Sequence, residues 1–494
     1  MIFILISPII VFISAAALGM ISSGRKYIQF CIASVASLMA ILSSSIILSL
    51  VLKKNIVAMT VGSWVAPYGI TFVADRFSAI MVLTSNLIGF FCIIYSYFDI
   101  EDNKIRHGFY PMLLALFAGA NGALLAGDLF NLYVWFEVLL IGAFCLLTLG
   151  NERKQLKGSL PYVFINLFAS TMMLLSVGAL YGVTGSLNMA EISFQLDLIS
   201  NIPLRLTMAI LFFLSLAIKA AIVPFFFWLP ASYHTPPVTV TALFSALLTK
   251  VSIYCLIRIF SLFFHTEILE IKTILLIMAA LTMVIGVFGA AGHGDFRRIL
   301  SFHIVSQIGY MLMGLAFFTA YSLAGAALFI IHNMLIKTTL FLISGIAEKI
   351  FGSGLLKNQG NLYRSHPMLA VVFLMSAFSL TGLPPLSGFW GKLILSQAGL
   401  RTGQGVIVGV SLFVSLITLF SMTKIWLHSF WSSEHQRNGG IGAIIYPVYI
   451  LCFISFAPAL FPGPILEYFL AIGEDLMRPS LYRDAVRSLR EVSR

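Results

Sequence analysis

Long apolar stretches almost free of charge recur along this chain, and no water-soluble fold can hold so many of them. A run of about 20 apolar residues spans the hydrocarbon core of a bilayer as a helix. By that measure the sequence contains about fourteen spans, at 3–21, 29–51, 73–97, 109–125, 129–149, 160–182, 205–229, 238–263, 273–291, 299–318, 323–347, 368–395, 405–431 and 443–461. Sixty per cent of the 494 residues are hydrophobic and ten per cent are charged, whereas soluble domains carry about a quarter charged residues. The sequence therefore predicts an all-α polytopic membrane protein. The first run begins at Met1 without a basic leader or a small-residue cleavage pattern, and reads as a retained span rather than a signal peptide.

A net charge of +11 raises the question of nucleic acid. The distribution of the charge answers it, because the basic residues sit in short connecting loops, where they orient a membrane protein. Loops after odd-numbered spans hold Arg25, Lys26, Lys104, Arg106, Arg153, Lys154, Lys157, Arg297, Arg298, Lys349, Lys357, Arg364 and Arg437. Loops after even-numbered spans hold Lys53, Lys54, Arg205, Lys272 and Arg401. The bias puts odd loops in the cytoplasm and the N-terminus outside. The tail from Arg478 to Arg494, with five arginines, breaks the rule if the spans number fourteen. Either the count is off by one or the tail is an interfacial amphipathic helix.

No polar stretch is long enough to fold alone, so the working parts lie inside the membrane. Cys31, Cys92, Cys145, Cys255 and Cys452 fall within or at the edges of apolar runs at spacings unlike a metal site. They read as small buried hydrophobes, and neither a disulfide nor a metal cluster is expected. Two spans are interrupted. Leu216–Thr241 carries Pro224, Pro230 and the pair Pro236-Pro237, and Ser379–Lys392 carries Gly-Leu-Pro-Pro-Leu-Ser-Gly. Proline removes a helical donor, and the freed carbonyls are tolerated at membrane depth only inside protein or beside water. Lys219 precedes the first break and Lys392 follows the second. Interrupted spans in corresponding positions of two halves point to inverted repeats around a transport site. The breaks lie in spans seven and twelve, which suggests two five-helix repeats, spans 4–8 and 9–13. The units would be 1–108 (helices 1–3), 109–264 (first repeat), 265–432 (second repeat) and 433–494 (last helix and tail). Little residue identity is visible between the repeats.

An ionisable group at the bilayer centre costs at least about 2.5 kcal/mol on insertion scales and usually marks function; near a span end a long side chain can instead snorkel to the headgroups. Depth separates the two. Glu137 lies mid-span in Asp-Leu-Phe-Asn-Leu-Tyr-Val-Trp-Phe-Glu, while Asp128 opens that helix and suits its N-terminal dipole. Lys219 and Lys250 are mid-span. An amine whose proton affinity follows a neighbouring charge can pass a proton on. Two deep lysines beside one deep carboxylate leave one lysine without a partner, which argues against a fixed structural pair. Span eleven adds His332 and Lys337, five apart; a lone histidine there is as readily a packing residue as a relay. Lys392 falls in the second half of a broken span. Arg258 and Lys424 lie late in their spans and read as snorkelling, and Asp75-Arg76 reads as an interfacial pair. His303 and Gln307 share one face of span ten, a seam suited to water or to interhelical hydrogen bonds.

Glu137, Lys219 before a proline break, Lys250 and Lys392 after Gly-Leu-Pro-Pro-Leu-Ser-Gly-Phe together resemble the antiporter-like subunits of respiratory complex I. The segments Gly-Asp-Leu-Phe-Asn-Leu-Tyr-Val-Trp-Phe-Glu and Arg-Ile-Leu-Ser-Phe-His-Ile-Val-Ser-Gln-Ile-Gly-Tyr are most similar to the D-subunit family of bacterial multisubunit Na⁺/H⁺ antiporters of the Mrp type. The resemblance covers roughly 60–460 and implies a fourteen-helix fold with broken helices 7 and 12. It implies a multi-pass protein of the bacterial inner membrane, assembled with A, B, C, E, F and G type subunits. It further implies a Glu137–Lys219 charge pair whose opening lets Lys219 pass a proton to Lys250, and onward through span eleven, with His332 and Lys337, to Lys392. The expected activity is cation/proton antiport, with no enzymatic step, cofactor or metal centre on this chain, and with protons and Na⁺ as the transported ions. The alternative is a proton-pumping subunit of a complex I-like or hydrogenase-type redox complex, in which the same residues would serve. A structural scaffold would not need charges in mid-span.

Overall fold

In hydrocarbon a backbone must satisfy its own hydrogen bonds, which leaves helices as the form for isolated spans. The computed structural model describes residues 2–64, 66–432 and 441–492, and each apolar run is helical there. Arg437 and Arg494 lie outside the described residues. The helices are α1 Ser7–Ile21, α2 Lys26–Lys54, α3 Arg76–Asp99, α4 Phe109–Leu125, α5 Leu129–Thr148 and α6 Arg153–Thr184, then α7 Ile202–Ser232 and α8 Val238–Leu262. They continue with α9 Glu267–Gly292, α10 Phe296–Phe317 and α11 Ala320–Phe351. A twelfth, α12, is formed by Pro367–Thr381 and Ser387–Arg401; α13 Gly405–Trp431 and α14 Gly442–Leu460 follow. Two further helices, α15 Pro462–Leu476 and α16 Pro479–Val492, form the tail. Eleven are long and apolar enough to cross a membrane, and α1, α4 and Pro367–Thr381 are shorter apolar helices.

One element departs from the all-helical expectation. After α2 the chain forms an antiparallel hairpin, β1 Val57–Thr60 with β2 Thr71–Ala74. The Thr71 carbonyl accepts the Gly127 N–H at 2.8 Å and the Thr71 hydroxyl accepts from Asn188 at 3.0 Å, so the hairpin fastens the ends of α4 and α6. Strands of four residues in a loop leave no apolar period to read.

The interruptions fall at the prolines. The first part of α7 ends at Ala220 and that of α12 at Thr381, and both close alike. The N–H groups of Ala221 and Ile222 bond the carbonyls of Ile218 and Ala217; those of Gly382 and Leu383 bond Ser379 and Phe378. Both are the left-handed C-terminal cap that satisfies orphan carbonyls, with φ of 60° at Ala221 and 92° at Gly382.

The two repeats share a set of backbone and capping bonds. Leu129 N–H bonds Leu187 and Met189 N–H bonds Gly127; Phe296 N–H bonds Gly354 and Leu356 N–H bonds Gly294. Asp128 caps α5 through Asn131 N–H, and Asp295 caps α10 through Arg298 N–H. α6 and α11 each have 32 residues and end on a left-handed glycine, Gly185 and Gly352. Every one of these pairs is 167 residues apart, as Gly127 and Gly294 are. Five spans is an odd number, so the second repeat runs through the membrane opposite to the first, which is an inverted repeat.

Ion pairs check the alternation of the spans. Every ion pair among the described residues joins ends of the same parity, for example Lys26–Asp102 and Arg297–Glu348 on the odd side, Arg205–Glu267 and Arg258–Asp75 on the even side. The tail docks on the even side. Arg483 pairs with Asp197 and Arg487 with Glu191 on the helix Met189–Leu198. Acidic partners meet the tail's arginines there, which accounts for a basic tail on the even side.

Candidate functional site

The charges singled out from the sequence lie within helices α5, α7, α8, α11 and α12, and three of the lysines sit beside a helix interruption or kink. Glu137 sits on the α5 stripe Phe130, Val134, Ile141 and Phe144, which is exposed on this chain. Its Oε1 is buried and has no hydrogen-bond partner among the described residues. Lys219, in the last turn before the α7 break, donates to Ser170 Oγ on α6 at 2.8 Å and lies 5.2 Å from the centre of the Phe136 ring. Glu137 is within electrostatic reach of Lys219, but no direct ion pair joins them among the described residues. A void of about 20 Å³, lined by Phe136, Tyr162, Asn166, Lys219, Leu248 and Ser252 among others, is large enough for one water molecule. It lies between Lys219 and the face of α8 that carries Leu248 and Ser252.

Lys250 is fully buried. α8 is kinked at Leu247, between Val238–Ala246 and Leu248–Leu262. The kink exposes the Ser245 carbonyl, and Lys250 Nζ donates to it at 2.7 Å. Lys337 on α11 is also fully buried, donates to the Leu300 carbonyl at 3.4 Å, and lies within electrostatic reach of both Lys250 and Lys392. Among the described residues none of these three lysines forms an ion pair.

Lys392 lies in the second piece of α12 and reaches back across the break. Its Nζ donates to the Thr381 carbonyl at 2.8 Å and to Ser415 Oγ at 2.9 Å, above the Tyr310 ring at 4.7 Å. Gly382 makes this reach possible: a Cβ there would come within 2.8 Å of Lys392 Cδ. The ammonium thus rests at the carbonyl end of the first piece, where the helix dipole is negative. His332 bonds Ser387 Oγ through Nδ1 at 2.9 Å and stacks on Phe329, so it faces the same break.

Polar atoms without partners mark the space between these groups. Thr249 Oγ1, both side-chain polar atoms of Gln307, Asn333 Oδ1, His303 Nδ1 and His332 Nε2 are buried with no hydrogen-bond partner among the described residues. Buried polar groups are almost always bonded to protein or to ordered water, so these atoms outline a wet seam. His303 Nε2 bonds Ser421 Oγ. The serines 170, 387 and 415 and Tyr310 are site neighbours that sequence reasoning missed as partners, since each belongs to a different helix from the group it serves.

Four residues read from the sequence as peripheral are placed differently. Arg258 does not snorkel: it is buried, ion-paired with Asp75, and lies between the rings of Tyr254 and Tyr482. Asp75 and Arg76 are not a pair with each other, because Arg76 bonds Asp475 and Asn55. Lys424 donates to the carbonyls of Ala291 and His293 at 3.1 and 2.7 Å, capping the C-terminus of α9 rather than reaching for headgroups. In each case the partner comes from a helix distant in sequence.

Residues 126–418 match the family model described as NADH:quinone oxidoreductase/Mrp antiporter, transmembrane. The chain is 40% identical over 440 residues to the D-type subunit of a Na(+)/H(+) antiporter from Alkalihalophilus pseudofirmus, covering 88% of this chain and 89% of that one. It is 35% identical over 485 residues to the D-type antiporter subunit of Bacillus subtilis, covering 97% and 98%. Among solved structures it superimposes on a chain of the Mrp complex from Dietzia sp. with a TM-score of 0.90 and 30% identity, covering 98% of this chain and 99% of that one.

Proposed function

Because the chain belongs to the transmembrane-subunit family shared by NADH:quinone oxidoreductases and Mrp antiporters, we propose that the buried charges of its midplane are the proton path of a cation/proton antiporter. As a member of that family it is a proton-translocating transport subunit of a multisubunit antiporter in the cell membrane. The observation that carries the path is Lys337. It is fully buried, has no carboxylate partner among the described residues, donates to the Leu300 carbonyl at 3.4 Å, and feels the charges of both Lys250 and Lys392. A lysine so placed exchanges protons with its neighbours because a charge on either disfavours a charge on it.

The roles follow from the placement. Glu137 attracts the Lys219 ammonium, and release from Glu137 sends the proton toward Lys250 through the water-sized void. Lys337 links the repeats, His332 and the wet seam bring the proton to the α12 break, and Lys392 hands it on. The repeats act as units 109–264 and 265–432, with 1–108 and 433–494 bracing them. The exposed stripe around Glu137 is covered by a neighbouring subunit, since a carboxylate with a bare lipid face would cost several kcal/mol. The neighbours are of the A, B, C, E, F and G types, and Na⁺ is the counter-ion exchanged by the complex.

Glu137→Ala and Lys219→Ala are each expected to abolish Na⁺-dependent proton movement in everted vesicles with the complex still assembled. Normal exchange in either variant would overturn the paired role.

A further inference from the structure

The bonds shared by the repeats assign a role to a residue without charge. Counting 167 residues back from α11 to α6, Asn333 falls on Asn166 and Lys337 falls on Ser170. The equivalence holds in detail: Asn166 donates to the Tyr162 carbonyl at 2.8 Å, and Asn333 donates to the Phe329 carbonyl, its counterpart, at 2.9 Å. Helix bounds, C-terminal glycines and the flanking backbone bonds share that offset, so the register across both helices is unambiguous. In the second repeat the seat is filled by the amine of Lys337. In the first repeat the seat carries Ser170, and the amine that arrives there comes from α7, as Lys219 Nζ bonded to Ser170 Oγ at 2.8 Å. One ammonium therefore stands at the same station in each repeat, supplied by α11 in one and by α7 in the other.

We infer that Ser170 is the positioning residue that holds Lys219 in line with the other lysines, as the alternative to its pairing with Glu137. The inference rests on the Glu137–Lys219 reading and adds the second seat that such a switch needs. Several observations bear on it. Ser170 is buried, its hydroxyl oxygen accepts a hydrogen bond from the Lys219 ammonium, and Lys219 so held borders the water-sized void against Leu248 and Ser252 of α8. With Lys219 on Ser170, Glu137 Oε1 is left without a hydrogen-bond partner among the described residues, as expected of the disengaged member of a pair. The Phe136 ring, next to Glu137 in sequence, faces Lys219 at 5.2 Å.

A hydrogen bond to a charged donor biases a two-state balance about tenfold or more, and flux through a state scales with its population. In everted vesicles bearing the whole complex, Ser170→Ala is expected to lower the maximal rate of Na⁺-driven proton movement about tenfold. The Na⁺ concentration at half-maximal rate should stay as in the parent, and Ser170→Thr should restore the rate. Full activity in Ser170→Ala overturns the inference, and so does Ser170→Thr being as impaired as Ser170→Ala, which would make the position one of packing. Glu137→Ala and Lys219→Ala, run alongside, separate the two claims. If they are inactive while Ser170→Ala is normal, only the second seat falls; if they are active, the paired role itself falls.

Discussion

Lys250 and Lys337 are fully buried amines whose hydrogen-bond acceptors are backbone carbonyls. A group in that position is useful only if it can give up its proton. Lys250→Arg keeps the positive charge and fills the space, but arginine does not deprotonate in proteins. Exchange is therefore expected to fall by at least about a hundredfold, the size of effect that follows loss of a proton-transferring side chain, with the subunit still assembled. Wild-type exchange in everted vesicles would show that no proton leaves this residue. At this scale the sequence is informative about depth and silent about partners. Glu137, Lys219 and Lys250 stand out because nothing apolar explains them. Ser170 does not stand out, because a serine in a span is ordinary, and only the second repeat's Lys337 marks its seat. The Gly-Asp dipeptides at Gly127-Asp128 and Gly294-Asp295 are the written signal of that register, too short to notice without the backbone bonds they make. Arg258 is misplaced by sequence reasoning for a related cause: snorkelling is argued along one helix, while Asp75 lies on another.

The broken helices show how an element sets a residue's position. Both interruptions end in a left-handed residue, but one is alanine and the other glycine. A side chain in that conformation costs about 1–2 kcal/mol. Ala221→Gly should therefore raise the unfolding midpoint of the purified protein in detergent, by about 1 kcal/mol of stability, with exchange retained. Gly382→Ala should act in the opposite direction and also cost activity, since the added methyl meets Lys392 Cδ at 2.8 Å and pushes the ammonium off the Thr381 carbonyl. A Gly382→Ala variant with unchanged midpoint and exchange would remove the steric argument. The prolines announce both breaks in the sequence, because their effect on a helix is local. The kink at Leu247 is not legible there: no proline or glycine lies in Ala-Leu-Leu-Thr-Lys, and the distortion is sustained by Lys250 bonding Ser245. The hairpin β1–β2 escapes for want of length.

Across the whole molecule, the loops of each parity are tied to one another, and the tail closes the even side. Arg258, Asp75 and Tyr482 join α8, α3 and α16 there. Removing one partner of a buried ion pair destabilises by about 3–5 kcal/mol, while removing both is far milder. Arg258→Ala should accordingly destabilise the protein strongly, and Asp75→Ala with Arg258→Ala should recover most of the loss in a thermal unfolding series. Equal destabilisation by the single and double variants would mean that the pair is not what docks the tail. The alternation of spans is readable from hydropathy because the bilayer imposes one length on each. The docking of the tail is not, since its arginines carry no sign of the acidic partners that await them on Met189–Leu198. On the proposed path, two inverted repeats need a group that couples them, and Lys337 of the second repeat, which feels the charges of Lys250 in the first and Lys392 in its own, is the candidate. The most direct measurement is Na⁺-driven proton movement by the whole complex carrying Lys337→Met in proteoliposomes. A continuous lysine path predicts loss of exchange with normal assembly and proton-tight vesicles; exchange at the parent rate would contradict it.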